Sequence, residues 1–500
     1  MLLGALLASA DDTLLLEGAV PADGDFFVLP FDVPEGTAEI EVAHDDLSDR
    51  DILDWGLRDP GGTLRGWGGG NTENAVVNAA AASRSYLPGA VTPGTWEVLV
   101  GKAKILEADP AYRVEVSLRT SASLAAQPER RPYAPVDLGG GGRWVAGDFH
   151  VHSRESGDAS ATLDEIATLA AARGLDFVML AEHNTTSTLA WLGDAQDRHP
   201  DVLLLPGAEI TTYAGHANGI GLTEPVPFTF GFEGVDFDAT AQAVADAGAL
   251  LSINHPMLDL GDACIGCAWE NPIPPLGQLA AVEIATGGWS QTGLLFTEDA
   301  IDFWDTLCDE GHHAAAIGGS DDHRAGTGTG PFDSPIGDPT TLVYVETLSA
   351  EAILAGIRDG RTVVKLQGPD DPMVVLDADP APDGDTILGN VTTVTATVTE
   401  GLGTTLRLVA DGGVLVEVPV DADPFRYETM LVNPTERVRA EVWGDGHPRT
   451  VTSHLWVEWA VDPPKDPEGC GCGGGGAPAT WGAAAVALVS LLVRRRPPES

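Results

Sequence analysis

The sequence predicts an α/β protein with a β-sandwich on either side, and three observations lead there. From Arg143 to about residue 366, short apolar strands alternate with amphipathic helices, the pattern of a parallel α/β domain, barrel or open sheet. On both sides helical periodicity is lost, and apolar–polar alternation is broken by Gly, Pro and Asp turns. The 60 glycines and 35 prolines in 500 residues disfavour coiled coils and helical bundles.

Residues 13–126 form the first expected sandwich, with strands at 26–31, 38–42 and 95–100. A linker spans 127–142, carrying Pro128, Pro132, Pro135 and four consecutive glycines. The α/β segment spans 143–368, with strands expected at 144–149, 175–180, 202–205, 249–253, 281–284, 314–317 and 341–345. Thr162-Leu163-Asp164-Glu165 is a capping box that opens a helix ending at Gly174, and further helices are expected at 297–310 and 349–359. Residues 369–462 read as a second, Ig-like sandwich, with strands at 393–399, 405–409, 414–420, 437–443 and 453–461.

Composition narrows the function classes. Hydrophobic residues at 43% and charged residues at 20% are ordinary for a folded chain. With 27 Lys+Arg against 75 Asp+Glu, the net charge of −48 repels phosphate backbones, so no stable nucleic-acid binding is expected.

Both ends suggest export. Residues 1–12, apolar and closing on Ala8-Ser9-Ala10, read as a signal peptide with a truncated start. At the other end, 463–500, Cys470-Gly471-Cys472 and a glycine run lead into the apolar stretch 477–493 and then Arg494-Arg495-Arg496. That order resembles the MYXO-CTERM sorting tail, which implies display at the cell surface or outer membrane, with membrane contact through this tail alone. Cys264-Ile265-Gly266-Cys267 is read as a small disulfide rather than half a zinc site, because no second cysteine pair lies nearby. Cys308 is read as a buried small hydrophobe.

The chemistry is carried by histidines. Six of the twelve fall just after expected strands or beside them, mostly with carboxylates: His150 and His152, Glu182-His183, Glu209 followed by His216, His255, and Asp321-Asp322-His323. In an extended segment residues i and i+2 point the same way, so His150 pairs with His152 and Asp321 with His323. Strand carboxyl ends are where α/β folds build their sites, so these groups converge. A lone His-x-His is ordinarily a hydrogen-bonded or surface pair; a set of this size implies two or three divalent ions, with imidazole and carboxylate suiting Zn, Mn or Fe. His44, His199, His312, His313, His447 and His454 lack this placement and are read as surface residues.

These motifs, in this order, resemble the PHP superfamily of polymerase and histidinol-phosphatase metallohydrolases, especially its carbaryl-hydrolase-like branch, over about residues 143–366. The resemblance implies a distorted (βα)7 barrel holding up to three metals. One would take His150, His152, Glu209 and Asp321; a second would share Glu209 and take His216 and His255; a third would take His183 and His323 with one more carboxylate. The family's first motif usually continues Ser-Asp-Gly, whereas this chain has Ser156-Gly157-Asp158, which offsets Asp158 by one residue as that carboxylate. Glu182 stands where Asp is common and is assigned to the catalytic machinery behind the ligands.

Two ions sharing Glu209 would also share a water and make it a metal-bridging hydroxide nucleophile. Arg154 and Arg324 follow two of the motifs and are candidates to hold an anionic substrate. No nucleophile elbow, Walker loop or dinucleotide fingerprint competes. The expected activity is therefore hydrolysis of a small-molecule ester, a phosphoester first and a carbamate, amide or carboxyl ester second. The rival of another class is a non-catalytic surface binding protein.

Overall fold

The computed structural model describes residues 11–328, 334–389 and 392–459; most of the expected leader and the tail at 463–500 lie outside the described residues. Among the described residues, no helix is long and apolar enough to cross a membrane.

Strands such as Ala111–Arg119 alternate buried and exposed side chains and so have one apolar face to bury, whereas Leu64–Gly69 and Gly94–Lys104 carry continuous buried runs, because Trp67 and Leu99 pack on the middle region from the sheet's other face. One antiparallel sheet runs in the order Asp12–Ala19, Ala111–Arg119, Glu39–Asp45, Ala75–Asn78; the other runs Phe26–Val33, Gly94–Lys104, Ile52–Arg58, Leu64–Gly69. Phe31, Trp55, Trp96 and Val98 of the second sheet close a single core with Ile40, Val42, Val114 and Val116 of the first.

The seven strands expected in the middle region are all present to within two residues, but they do not close into a (βα)7 barrel. They divide between two sheets, and only five α-helices occur among the described residues against 27 strands. The first sheet runs Leu203–Leu205, Phe177–Leu180, Arg143–Val151, Thr340–Val345, Thr362–Lys365 and continues through His447–Thr452 into the C-terminal region. The second runs Gly207–Thr212, Gly215–Ile220, Leu250–Ile253, Leu279–Thr286, Ala315–Gly319. The reason lies in the connections. A parallel neighbour needs a crossover of a dozen residues or so, whereas Pro206 alone separates Leu203–Leu205 from Gly207–Thr212, and a two-residue turn then makes Gly215–Ile220 antiparallel to it. Those glycine-containing strands had not been expected, because Gly207, Gly215 and Gly219 lower their strand signal.

Three of the helices match their sequence signals. The Leu163–Ala172 helix has both halves of its capping box, Glu165 N–H donating to Thr162 Oγ1 and Thr162 N–H donating back to the Glu165 carboxylate. Leu294–Asp309 and Ala350–Arg358 cover the two sheets from outside, burying Trp304 and Ile353.

The C-terminal strands continue a sheet of the middle region. Thr362–Lys365 pairs antiparallel with His447–Thr452, so one sheet of eleven strands runs from the middle region into the last one. A three-stranded sheet of Met373–Asp379, Thr392–Thr399 and Phe425–Leu431 packs against its far end over Val374, Val394, Leu406 and Val438. Two of the histidines read as surface residues are in fact buried, His312 at 5% and His454 at 2% exposure, the latter packed on Trp304 and beside Arg439.

Candidate metal centre

The two middle sheets meet at the carboxyl ends of their parallel strands through single bridges, Val151 to Asp322 and His183 to Glu209. Backbone bonds fix the motif segments there: Asp321 N–H donates to His150 O at 2.8 Å, His152 N–H to Asp322 O at 3.0 Å, and Asn184 N–H to Glu209 O at 2.8 Å. Asn184, His255 and Asp321 adopt left-handed backbone conformations, with φ of 50°, 27° and 55°, which cost energy for residues with a Cβ; those of Asn184 and Asp321 are held by these bonds. Gly319 permits the closest approach, since a Cβ on it would lie 2.2 Å from the His150 Cβ.

Glu209 is the hub. Its carboxylate lies 3.2 Å from His150 Nε2, 2.7 Å from His183 Nδ1, 3.3 Å from His216 Nδ1 and 3.4 Å from His255 Nε2, with His152 Nε2 at 3.9 Å. Asp321 Oδ1 lies 3.0 Å from His152 Nε2 and 3.4 Å from His150 Nε2. Asp158, 61% exposed, brings Oδ2 to 3.4 Å from His183 and 3.5 Å from His323, whose Nε2 atoms are 3.4 Å apart. Donor atoms of His150, His152 and Asp321, of His150, Glu209 and His255, and of His152, His183 and His323 each lie within 4.8 Å of one another.

The outward ring nitrogens say which nitrogens are bare. His255 Nδ1 bonds the Cys267 carbonyl at 3.2 Å and His216 Nε2 the Ile265 carbonyl at 3.3 Å. A carbonyl only accepts, so those nitrogens carry the protons and the opposite ones face Glu209 with lone pairs. His150 Nδ1 is held by Glu283 at 3.1 Å and His152 Nδ1 by Ser156 Oγ at 2.9 Å. The buried Nε2 atoms of both make no hydrogen bond. Lone pairs turned toward carboxylate oxygens repel unless a positive charge lies between them, so this donor set fits divalent metal binding.

The charges agree. With no metal between them the two sets of groups would share protons instead: against burial, Asp321 and Glu209 raise His150 well above the usual imidazole value, and against burial His150 and His216 in turn hold the Glu209 carboxyl well below the carboxylate range, an attraction that a divalent ion would replace. Burial and the nearby His323 and His183 push His152 down to about 3, so it stays neutral, the state a ligand needs.

All nine candidate ligands therefore come together at one place. Arg324 and Asp158 line the cavity beside them, a space of 720 Å³ whose other wall includes Phe26, Trp67 and Asn71 of the N-terminal sandwich. Arg154 is exposed and not among the lining residues. Glu182 is buried away from the cavity and accepts hydrogen bonds from the hydroxyls of Ser153, Ser156 and Thr188. Its carboxylate reaches the cluster through Ser156, the partner of His152, and its backbone carbonyl accepts from Glu209 N–H at 3.0 Å. Glu283 and Asn254, which donates to Glu209 at 3.1 Å, were missed in the sequence. A signal existed for Glu283, the lone charge in the apolar strand Leu279–Thr286. The cysteine pair forms the expected disulfide, and Cys308 is a buried free thiol.

No protein-family model and no curated protein matches the chain. Among solved structures, a two-domain protein from Bacteroides vulgatus containing a predicted PHP-like metal-dependent phosphoesterase aligns at 19% identity over 66% of this chain and 100% of its own, with a TM-score of 0.36. An amidohydrolase from Chromobacterium violaceum, with bound sulfate and no metal, aligns at 17% identity over 38% of this chain and 93% of its own, with a TM-score of 0.25. At such TM-scores these likenesses carry no weight for fold or function.

Proposed function

We propose that this chain is a metal-dependent hydrolase acting on small-molecule esters, a phosphoester first. The observation that carries the proposal is the convergence of bare, buried imidazole nitrogens on Glu209 and Asp321, two carboxylates that line the cavity. His150, His152 and Asp321 would hold one ion, Glu209 with His216 and His255 a second, and His183, His323 and Asp158 a third. Divalent ions there would supply Lewis acidity and bring a water to a nucleophilic protonation state near neutral pH.

The chain's own groups have separate tasks. Glu283 and Ser156 hold the rings of His150 and His152 by their outer nitrogens, and Glu182 fixes Ser156. Arg324, at the cavity wall, would hold an anionic oxygen of the substrate. One observation favours a neutral ester or carbamate as the second reading: Arg324 is the only Arg or Lys among the described lining residues.

The test is metal analysis of the purified chain, joined to assays with nitrophenyl phosphate mono- and diesters, nitrophenyl acetate and a nitrophenyl carbamate. At least two transition-metal ions per chain are expected, with hydrolysis lost on chelation and restored by Mn²⁺ or Zn²⁺. Cleavage of the neutral esters alone would select the second reading, and a chain with neither metal nor hydrolysis would end the proposal.

A further inference from the structure

The loop between the strands Leu250–Ile253 and Leu279–Thr286 carries the Cys264–Cys267 disulfide and lies directly on the metal-binding cluster. Its carbonyls at Ile265 and Cys267 are the acceptors for His216 and His255. Gly266 lets it sit there: φ is +76°, and a Cβ would meet the Thr212 carbonyl at 2.3 Å. The two sulfurs have different surroundings. Cys264 is half-buried and lines the cavity, whereas Cys267 is 1% exposed, with Sγ and a ring nitrogen from each of His216 and His255 all within 4.8 Å of one another.

We propose that the dithiol form of this loop makes a thiolate metal site from His216, His255 and Cys267, closed in the disulfide form and opened by a dithiol reductant. A reductant thiolate in the cavity attacks Cys264 Sγ, forms a mixed disulfide there and expels Cys267 as thiolate. The reductant's second thiolate then displaces Cys264, so the reductant leaves as a cyclic disulfide, having delivered two electrons and two protons. An ion taking Cys267 as ligand returns that thiol's proton to solvent. Two imidazoles and a thiolate suit zinc or cobalt better than manganese, so the redox state of the loop selects the metal. In the disulfide the same sulfur is neutral and a poor donor.

The inference rests on the proposed function only in treating His216 and His255 as metal-binding. Its test uses the full chain and Co²⁺, whose ligand-field bands report binding and whose near-ultraviolet charge-transfer band reports a bound thiolate. The oxidised chain should lack the charge-transfer band, and the chain reduced with dithiothreitol and desalted under inert gas should show it. Cys264→Ser should show it with no reductant, and Cys267→Ser should lose it in either state. Cys308, Cys470 and Cys472 remain in every variant, so the band is read as the difference from Cys267→Ser. Co²⁺ bound to the reduced chain without that difference overturns this inference and leaves the hydrolase reading standing. No Co²⁺ bound at all overturns both. Should Cys264→Ser fail to fold, the reduced parent chain measured against reduced Cys267→Ser decides.

Discussion

Two buried clusters in this protein each set a carboxylate beside histidine, one ring at Asp305 and several at Glu209, and they solve the charge problem in opposite ways. Around Asp305, Arg439 Nη1 donates to both carboxylate oxygens at 2.6 and 2.8 Å, while Arg437 and His454 approach at 3.5 and 3.4 Å. Arg439 Nε also donates to Glu441, and Trp304 stacks on His454 with ring centroids 4.1 Å apart. Guanidinium and carboxylate neutralise each other within that cluster. Around Glu209 the side-chain partners among the described residues are histidines, an asparagine and a threonine, with no arginine or lysine. A cluster that contains its own cations is structural. One that turns bare imidazoles toward carboxylates depends on a cation from outside.

The difference can be broken from either side, and the largest effect is expected at Glu209. Glu209→Gln removes the shared negative ligand, so metal content should fall and hydrolysis should drop about a thousandfold, equivalent to about 4 kcal/mol of transition-state stabilisation. Thermal unfolding of the same variant should show it still folded. Activity close to the parent's would mean the shared carboxylate is misassigned.

Arg439→Met should do the reverse. Removing one partner leaves Asp305 and Glu441 buried without their main cation, at a cost of about 3–5 kcal/mol in unfolding free energy, with metal content per folded chain unchanged. Loss of metal in this variant would show that the two clusters are coupled.

A smaller effect is expected at Glu283→Gln, which keeps the volume but weakens the bond holding His150 Nδ1. Metal affinity should fall by about 10–100-fold, as it does when such outer partners are changed, and competition with a chelator would measure it.

The smallest effect is a slope. Burial, against the pull of Asp305 and with Arg439 adding to it, lowers His454 from 6.5 to about 4, so the native ring stays neutral where the unfolded chain already takes a proton. Between those values the unfolded state binds more protons, and stability should fall as pH is lowered from about 6.5 to about 4, by at most about 1.4 kcal/mol per pH unit from this group. His454→Gln should flatten that part of the stability curve, whatever it does to the absolute melting temperature; an unchanged slope would mean the ring is already protonated in the native state.

What the sequence determined by itself is local. The capping box at Thr162, the seven middle strands, the disulfide and the strand-end motifs that carry eight of the nine candidate ligands could be read because each depends on residues within a few positions of one another, while Asp158 entered only through the family resemblance. Strand ends were enough to assemble the histidines, since strands in a packed layer bring their ends to the same side. Tertiary structure decided which strands pair and in what direction. Periodicity records which face of a strand is buried, and says nothing about its neighbour. The two-sheet arrangement in place of a barrel therefore followed from connections as short as Pro206, and the run of one sheet into the C-terminal region followed from the pairing of Thr362–Lys365 with His447–Thr452. The burial of His312 and His454, and the cavity wall from Phe26 and Trp67, were likewise settled by contacts between residues far apart in the chain, whose partners no local pattern encodes.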